Sequence, residues 1–521
     1  MKAEIRNLVD ISRSAAALRG RADVMLENAK WASHVFERFD RNATMRVVDS
    51  VAAAAHEGAS RFAELAVEES GFGVVAHKRI KNELTAMPLV GYYREDDYVN
   101  PRIDEKKKIV EIPRPAGVIF ALTPSTNPIS TLNYKILLAM MTRNAIVISP
   151  HPAVKNCCVA AAAALSSAAS EAGAPASCIQ VLEDPSIPLV NEFMQSPKTS
   201  VILATGGSAM VRAAYASSNP AIGVGPGNAP VFVDSSADLG KASDRIVESK
   251  SFDNSVLCTN ESVLITLPEV DPRLRRALQS KGAHFCEEDE TERLRRFLFH
   301  AGGFNVEAIG RDAGWIANQA GISVRRATRI LVAPISKIGV EEELSKEKLC
   351  PVLAYHVAKN RPQAISQARA VLRLAGAGHT AAVHASDEQA AFDFACSVES
   401  YRVVVNAPCS QGAAGFGTHL APSFTVGTGY FGRSSIGENI GPQHLVHWTK
   451  LAYSSENSEA FGIYDGVSAR FEGPLPQAPE DGVPGKSRYR APPVGNVAAG
   501  GIDREELRRI IAEELRAVLK G

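Results

Sequence analysis

Gly117-Val-Ile-Phe-Ala-Leu122, followed directly by Thr123-Pro-Ser-Thr-Asn127-Pro128, is the clearest structural signal in the chain. A run of small and apolar residues that stops at a polar, proline-containing turn is typical of a short strand buried on both faces. Proline is favoured in the first turn of a helix, and the residues from Pro128 to Arg143 predict one. A buried strand that leads through a loop into a helix is the repeating unit of an α/β protein.

The same unit recurs three times downstream. The predicted strand and helix pairs are residues 145–149 with 153–172, 179–182 with 187–195, and 200–204 with 209–217. Repeats of this length imply a parallel sheet with helices on both faces. Upstream, residues 1 to about 100 show helical periodicity, and a second α/β segment extends from about Pro230 to Gly427. The predicted fold class is therefore α/β.

Loops at the carboxyl ends of these strands are the candidate ligand-binding segments. They contain Thr123 and Pro124, then Ser149, Pro150 and His151, and finally Thr205, Gly206 and Gly207. The third loop opens a helix, so its free N–H groups could face a phosphate or a nicotinamide ring. No G-x-G-x-x-G joins a strand to a helix in this region, and a lone Thr-Gly-Gly-Ser is usually a turn. Three such loops at the same edge of one sheet favour a cofactor site more strongly than a single loop does.

A candidate nucleophile ends the stretch Ser251-Phe-Asp-Asn-Ser-Val-Leu-Cys258. Cys258 follows a small polar turn and precedes a strand-like run, so its thiol is predicted to lie in a loop between a helix and a strand. A thiolate attacks an aldehyde carbonyl readily and also leaves a thioester readily. One cysteine among eight is more often a small buried hydrophobe, so the assignment depends on partners elsewhere in the chain.

Composition excludes several classes of protein. Lys plus Arg and Asp plus Glu both number 57, so no net charge recruits nucleic acid or an anionic membrane. The first residues lack the apolar core of a signal peptide, and no run is expected to span a membrane. The cysteines show no metal-binding spacing, which predicts reduced thiols in a cytosolic setting, no disulfide set and no metal site. The histidines at 379, 444 and 447 are expected to be structural.

The C-terminal segment has its own organisation. Residues 473–500 are rich in proline, glycine and charge, which predicts a flexible linker. After it, Asp503 and Glu506 form a capping box, Ile502 and Leu507 can form a hydrophobic staple, and apolar residues continue on one helical stripe. A short helix of this kind needs a partner surface. It either packs back on its own body or docks on another molecule, and the long tether favours docking.

Five motifs occur in an order that resembles the CoA-acylating aldehyde dehydrogenases, a group within the aldehyde dehydrogenase superfamily. They are residues 120–128, 148–152, 251–258, 347–354 and 427–441, and the resemblance covers roughly residues 30–455. The chain is most similar to forms that serve bacterial microcompartments, which carry a short amphipathic helix on a linker as a targeting tag. Here the tag-like segment is C-terminal, whereas several relatives carry it at the N-terminus.

The resemblance implies two Rossmann-like parallel-sheet domains, a small β oligomerisation extension and a tethered C-terminal helix. The implied body of the protein has three parts: an NAD(P)-binding domain at 1–232, a catalytic domain at 233–427, and a return to the cofactor domain at 428–472. Residues 108–130 and part of 428–472 would form the β extension. The linker at 473–500 and an encapsulation-type helix at 501–521 would follow. It also implies a homodimer or dimer of dimers, contact with shell proteins or other cargo through residues 502–520, and a cytoplasmic location inside a microcompartment.

The resemblance also assigns roles within the site. Cys258 matches the nucleophile, and Asn127 matches the oxyanion donor that acts with the Cys258 backbone N–H. Glu347 matches the acid that holds the nicotinamide ribose. The loop at 205–207 would lie beside the nicotinamide, and the loop at 149–151 would lie near the adenosine ribose. The remaining implied cofactor contacts are Thr123, Pro124 and Gly225. NAD is the implied cofactor, with NADP possible, and coenzyme A is the co-substrate.

The fate of the acyl-enzyme separates two branches of the superfamily. Hydrolytic members have a glutamate base in a Glu-Leu-Gly-Gly motif, whereas the matching stretch here, residues 223–230, contains no carboxylate. Without a base to activate water, the thioester should wait for the thiol of CoA. The predicted reaction is oxidation of acetaldehyde or propionaldehyde to its acyl-CoA, with sulfoacetaldehyde as a further candidate. The alternatives are a hydrolytic NAD-dependent aldehyde dehydrogenase and a silent scaffold protein that acts through its tail.

Overall fold

The computed structural model describes residues 14–300, 303–464 and 466–467. The linker and helix predicted for residues 473–521 lie outside these ranges. A helical region comes first, as predicted, with five helices in its described part, and two strands follow them. Their bounds are α1 Ala15–Phe36, α2 Arg41–Glu57, α3 Ala59–Ser70, α4 Val75–Leu84, α5 Met87–Tyr93, β1 Arg102–Asp104 and β2 Ile109–Pro115. Leu26 of α1 and Val47 of α2 belong to the same apolar core as the first parallel sheet, so these helices are part of that domain.

The first parallel sheet confirms the predicted strand and helix alternation. Its elements are β3 Val118–Thr123, α6 Pro128–Met141, β4 Ala145–Pro150, α7 Lys155–Glu171, β5 Ile179–Val181, α8 Ile187–Gln195, β6 Val201–Thr205, α9 Ser208–Ala216 and β7 Ala221–Val224. The strand order is β5-β4-β3-β6-β7, and all neighbours are parallel. Every residue of β3 and β4 is buried because helices cover both faces of the sheet. The carboxyl ends of β3, β4, β6 and β7 therefore share one edge.

One helix corrects an expectation about membranes. By length and composition alone, Pro152–Glu171 could cross a membrane, although no run was expected to do so. This stretch contains α7, and one side of α7 packs on α2 and α6. Cys158, Ala161 and Leu165 on that side are fully buried in the core of the first domain. This packing accounts for the apolar residues on that side of the helix.

The second parallel sheet has seven strands. Its region contains β8 Ala229–Val233, α10 Leu239–Ser251, β9 Glu261–Thr266, α11 Asp271–Ser280, β10 Ala283–Phe285, α12 Glu288–Leu298, β11 Phe299–His300, β12 Gly303–Phe304, α13 Ala313–Gln319, β13 Ile330–Pro334, β14 Val352–Val357, α14 Arg361–Val371, β15 Ala381–His384, α15 Glu388–Ser397, β16 Val403–Val405 and α16 Cys409–Ala413. The order is β10-β13-β14-β9-β8-β15-β16, and β11 with β12 forms a separate hairpin. Val263 and Ile265 enter one apolar core and Leu264 enters another, so this sheet is also covered on both faces.

A third, antiparallel sheet contains β1, β2 and β17 (Val446–Ala452). Only residues 109–115 of the predicted segment 108–130 contribute to it, because 118–123 form the central strand of the first parallel sheet. The predicted boundary at 232 also needs correction. Strand β8 pairs with β9 and β15, so the crossover between the parallel sheets occurs before Ala229.

Candidate active site

A cavity of about 200 Å³ lies where the carboxyl edge of the first sheet faces the Cys258 loop. Segments that are well separated in the chain line it. They include Pro124, Asn127, His151, Thr205, Gly206, Gly207, Gly225, Cys258 and Glu347 among the predicted site residues, together with Val224, Pro226, Phe424 and Val426. Thus nine predicted site residues from six separate segments of the chain meet at one cavity. The wall is mainly apolar, as in most small-molecule sites.

Thr123, Ser149 and Pro150 do not line this cavity. They are the last residues of β3 and β4, where Thr123 pairs with Pro150 and Leu122 pairs with Ser149. All three are buried in the sheet directly below the loops. Their predicted contact with a cofactor stays a prediction.

An unusual turn positions Cys258. Helix α10 ends at Ser251, and the next residues include Asp253, Asn254 and Ser255 with φ values of 50°, 51° and 64°. Left-handed backbone is costly for residues with a side chain, and Asp and Asn tolerate it best. Three such residues in succession bend the chain away from α10 and bring Cys258 to the cavity before β9 begins. The predicted loop between a helix and a strand is confirmed.

The thiol of Cys258 is partly accessible through the cavity but lies deep below the protein surface. Burial and the nearby carboxyl of Glu347 raise its pKa to about 12, while the charges of Arg402 and Lys81 act in the opposite direction. Without ligands, Cys258 is therefore a protonated thiol at neutral pH. A substrate or cofactor that changes the charge or hydration around it would change the thiolate fraction.

We expect alkylation of Cys258 in the ligand-free protein to accelerate with pH without reaching a plateau. The raised pKa means that the thiolate fraction increases by about tenfold per pH unit from about pH 7 to pH 10. The measurement is the rate of iodoacetamide labelling at Cys258, followed by peptide mass spectrometry with glutathione as the reference thiol. A plateau below about pH 8 would contradict the proton-bound resting state.

Asn127 is held at the start of α6 by contacts from two other elements. Its side chain makes no cap hydrogen bond to its own helix. Instead, Nδ2 donates to the carbonyl of Val256 and to Thr126 Oγ1, both at 3.2 Å, while Oδ1 accepts from Lys81 Nζ. The amide nitrogen thus faces the Cys258 loop, which is the arrangement that an oxyanion donor requires.

Glu347 is half-buried at the cavity wall, and its Oε1 accepts a hydrogen bond from the backbone N–H of Gly227 at 3.2 Å. Burial raises its pKa to about 8, opposed by that hydrogen bond and by the charges of Lys250 and Lys348. At neutral pH this carboxyl is mostly neutral, so it can donate as well as accept. Either form can hold a ribose hydroxyl at the cavity wall.

The glycines of the candidate cofactor loops leave room for a ligand. A Cβ placed on Gly206 or Gly225 would meet no atom within 4 Å, so a ligand can approach the backbone at both positions. Thr205 Oγ1 lies 3.1 Å from Thr425 Oγ1, which ties the end of β6 to the far wall. Helix α9 begins at Ser208 directly behind this loop. These residues fit a bound dinucleotide.

His379 was expected to be structural, but it lies beside the site. A Cβ on Gly227 would come within 3.4 Å of its ring and within 2.0 Å of the Cys258 carbonyl oxygen. Its Nδ1 contacts Thr380 Oγ1, and Nε2 is buried without a hydrogen-bond partner among the described residues. Burial and the charge of Arg402 lower its pKa to about 3, so the ring is neutral. No local sequence pattern indicates this position for His379, because it is the fold that brings the residue there.

Replacing Gly227 by alanine is expected to disturb the nucleophile directly. The added Cβ would overlap the Cys258 carbonyl oxygen, so the loop must shift at a cost of about 1–3 kcal/mol. We expect a lower melting temperature and a lower kcat. The control is Gly20→Ala in α1, where a Cβ meets no atom within 4 Å. Unchanged kcat in Gly227→Ala would show that the overlap is relieved elsewhere.

The structure also brings together potential metal ligands that spacing did not indicate. Ligand atoms of His284, Cys286 and Glu290 lie within 4.8 Å of one another. His284 Nε2 and Glu290 Oε2 already form a 3.0 Å contact, and none of the three lines the cavity. All eight cysteines are free, as predicted for reduced thiols.

Comparison with known sequences identifies relatives that cover most of the chain. Residues 7–292 match the aldehyde dehydrogenase family. The aldehyde-alcohol dehydrogenase of Clostridium acetobutylicum is 37% identical over 456 residues, which are 86% of this chain and 53% of that protein. The acetylating succinate-semialdehyde dehydrogenase of Clostridium kluyveri is 32% identical, with 84% of this chain and 96% of that protein covered. The chain spans about half the length of the aldehyde-alcohol dehydrogenases that it matches.

Solved structures agree with these matches. An acetylating aldehyde dehydrogenase from Geobacillus thermoglucosidasius has a TM-score of 0.84 and 36% identity, covering 85% of this chain and 99% of that one. A propionaldehyde dehydrogenase from the Clostridium phytofermentans fucose utilisation bacterial microcompartment has a TM-score of 0.76 and 25% identity, covering 84% and 98%. The Rhodopseudomonas palustris propionaldehyde dehydrogenase with bound propionyl-CoA has a TM-score of 0.75 and 26% identity, covering 83% and 94%. The predicted α/β fold with two parallel sheets is confirmed, and the chain belongs to the aldehyde dehydrogenase family.

Proposed function

We propose that the protein oxidises a short-chain aldehyde to an acyl-CoA through an acylated Cys258. One observation carries this proposal: in the described part of the chain, Glu347 is the only acidic residue that lines the cavity. The wall formed by Val224, Gly225 and Pro226 offers no side chain that can take a proton from water. Because this wall supplies no base for water, we expect an acyl-enzyme on Cys258 to persist until another thiol displaces it. Relatives named as acetylating support the same branch.

The steps follow from the positions of the side chains. After the Cys258 thiol has released its proton to solvent, the thiolate attacks the aldehyde carbon, and the carbonyl oxygen becomes an alkoxide that the amide of Asn127 and the backbone N–H of Cys258 stabilise. When bound, a nicotinamide supplies the acceptor for the hydride that leaves this carbon. The product is a thioester on Cys258, and the thiolate of CoA then attacks it and releases the Cys258 thiolate. Each oxyanion donor is expected to lower the barrier by about 3 kcal/mol.

NAD is the cofactor that we propose, with NADP as the alternative. The open backbone at Gly206 and Gly225 and the carboxyl of Glu347 support a nicotinamide nucleotide in the cavity. The reaction exchanges one thioester for another, so it also runs in reverse as an acyl-CoA reduction. The direction in the cell depends on the supply of aldehyde and acyl-CoA.

Acetaldehyde and propionaldehyde are the proposed substrates. The cavity is small, and its wall contains no lysine or arginine within the described ranges. A sulfonate or a second carboxylate would be buried there without a cation, which is costly. The apolar wall therefore disfavours sulfoacetaldehyde and favours an aldehyde with a short alkyl chain.

The decisive experiment measures NADH release from a panel of short aldehydes with and without CoA. We expect one NADH per acyl group in the first turnover without CoA, followed by arrest, and continuous turnover once CoA is added. Mass spectrometry of the arrested protein should show the acyl group on Cys258. Carboxylate formation at full rate without CoA would instead establish the hydrolytic alternative. NADH formation that is unaffected by Cys258→Ala would remove the enzymatic proposal.

We further infer that the enzyme is packaged in a bacterial microcompartment through residues 502–520. The amphipathic stripe on a proline-rich tether supports this, as does the likeness to a microcompartment propionaldehyde dehydrogenase. Deletion of residues 473–521 should preserve activity and abolish co-sedimentation with shell proteins. Lost activity would show that the tail packs on the enzyme body.

Assembly into a homodimer or dimer of dimers is proposed to use β17 and the residues after it, where Leu451 and Tyr453 are each 40% exposed.

A further inference from the structure

The terminal amide of Asn127 has two orientations of nearly equal shape. Only one of them turns Nδ2 toward the Cys258 loop, and the other would present a carbonyl oxygen, which repels an alkoxide. Selection between them requires a neighbour that distinguishes a donor from an acceptor. Among the described residues, the group that contacts Asn127 Oδ1 is the ammonium of Lys81, at 2.5 Å. An ammonium donates and never accepts, so it fixes Oδ1 on its own side.

Lys81 is itself held in place by buried groups. Its side chain is 3% exposed, and it forms an ion pair with Asp253, whose side chain is fully buried. The same carboxylate accepts from Lys78 Nζ at 3.2 Å and from the backbone N–H of Val74 at 2.7 Å. These contacts join α4 to the strained turn in front of Cys258. The rotamer of Lys81 is therefore determined by the same segment that carries the nucleophile.

The cluster contains two ammonium groups and one carboxylate. Burial of an unbalanced cation is costly, and one lysine would be enough to pair Asp253. Burial lowers the pKa of Lys81 to about 8, opposed mainly by Asp253, which shows the cost of keeping this group charged. The second cation therefore needs a role other than neutralising the carboxylate.

We propose that Lys81 is the positioning residue of the oxyanion site, holding Asn127 Oδ1 so that the amide N–H groups face Cys258. This inference rests on the proposed function, because it acts through the donor role of Asn127. Nδ2 already donates to the carbonyl of Val256, two residues before Cys258, at 3.2 Å. The aldehyde oxygen would replace this acceptor or share the donor. Lys81 touches neither substrate nor cofactor in this arrangement.

Lys78 provides a matched control within the same helix. It lies one turn earlier, is equally buried and contacts the same oxygen of Asp253. Among the described residues, Lys78 Nζ also donates to the carbonyl of Thr126 at 2.9 Å, and it makes no hydrogen bond to the side chain of Asn127. If the lysines serve only to neutralise Asp253, loss of either should have the same effect. If Lys81 orients the amide, its loss should impair catalysis more.

The test compares Lys81→Met and Lys78→Met in the full chain, because each variant leaves one cation paired with Asp253. We expect kcat to fall by about 10- to 100-fold in Lys81→Met and by less than about 3-fold in Lys78→Met, with similar melting temperatures and unchanged KM for the nicotinamide nucleotide. Lys81→Gln retains an N–H donor toward Asn127 and should recover part of the lost kcat. Equal losses in the two methionine variants, or no recovery with glutamine, would overturn the proposal.

A double-mutant cycle separates this inference from the proposed function. In an Asn127→Ala background, Lys81→Met should cause little further loss of kcat, since the amide that it orients is gone. Full additivity of the two losses would show that Lys81 acts independently of Asn127. If Asn127→Ala alone leaves kcat unchanged, the donor role of Asn127 fails, and the positioning role fails with it. If Asn127→Ala is impaired and Lys81→Met is not, only the positioning role fails.

Discussion

Replacing Cys258 by alanine should reduce NADH formation by roughly 10⁴-fold or more, because no acyl-enzyme can form without the thiol. The side chain lines the cavity but donates no side-chain hydrogen bond that the described fold depends on, so the protein should remain folded. Binding of the nicotinamide nucleotide should persist, since its proposed contacts lie on the first sheet. The measurements are NADH absorbance under saturating aldehyde and CoA, and nucleotide titration by calorimetry.

Cys396→Ala is the matched control for this variant. Cys396 is an exposed cysteine in α15 and does not line the cavity. Its loss should leave both NADH formation and nucleotide binding unchanged. Substantial turnover by Cys258→Ala would show that another group receives the acyl chain.

The second large effect is expected for Asn127→Ala, which should lower kcat by about 10²- to 10³-fold. The amide is the side-chain donor that faces the Cys258 loop, so its loss leaves the developing alkoxide with the backbone N–H alone. The variant also leaves Lys81 without one acceptor, which should cost about 1–3 kcal/mol of folding stability. Steady-state kinetics with acetaldehyde and CoA, together with thermal unfolding, measure the two effects separately.

Asn144→Ala is the control for Asn127→Ala, because it removes a buried asparagine outside the cavity and so separates a loss of packing from a loss of catalysis. Asn144 is also buried, accepts from the backbone of Gly117 and donates to the Leu445 carbonyl, but it does not line the cavity. We expect lower stability with kcat nearly unchanged. A loss of kcat in Asn144→Ala as large as that in Asn127→Ala would assign both effects to misfolding.

Local signals in the sequence were sufficient to predict the first sheet and its helices. The helix predicted at residues 187–195 has the bounds Ile187–Gln195, and the predicted strand at 117–122 is shifted by one residue. Hydrophobic periodicity, and the ends of helices and strands at proline and glycine, depend on residues close in the chain. They can therefore be recognised without knowledge of the fold. The motifs that resemble a known family added Cys258, Asn127 and Glu347, which the structure brings to one cavity.

The missed features depend on contacts between distant segments. His379 has no distinctive neighbours in sequence, and its position behind Cys258 follows from the packing of the second sheet against Gly227. Likewise, Lys78 and Lys81 resemble ordinary charged residues of a surface helix until Asp253 is placed between them. The true position of the domain boundary depends on the pairing of β8 with β9. None of these relations has a periodic or local signature.

Helix α4 belongs to the N-terminal helical region, yet two of its side chains end at the turn that carries the nucleophile. A shortened enzyme that began at the first parallel strand would keep its cysteine and every cofactor loop, but Asp253 would be left as a solitary buried anion. Chimeras and minimal catalytic fragments of this protein should therefore be cut upstream of Val74. The first hundred residues contain none of the recognised motifs. Their helix α4 nevertheless limits how far the enzyme can be shortened from its N-terminus.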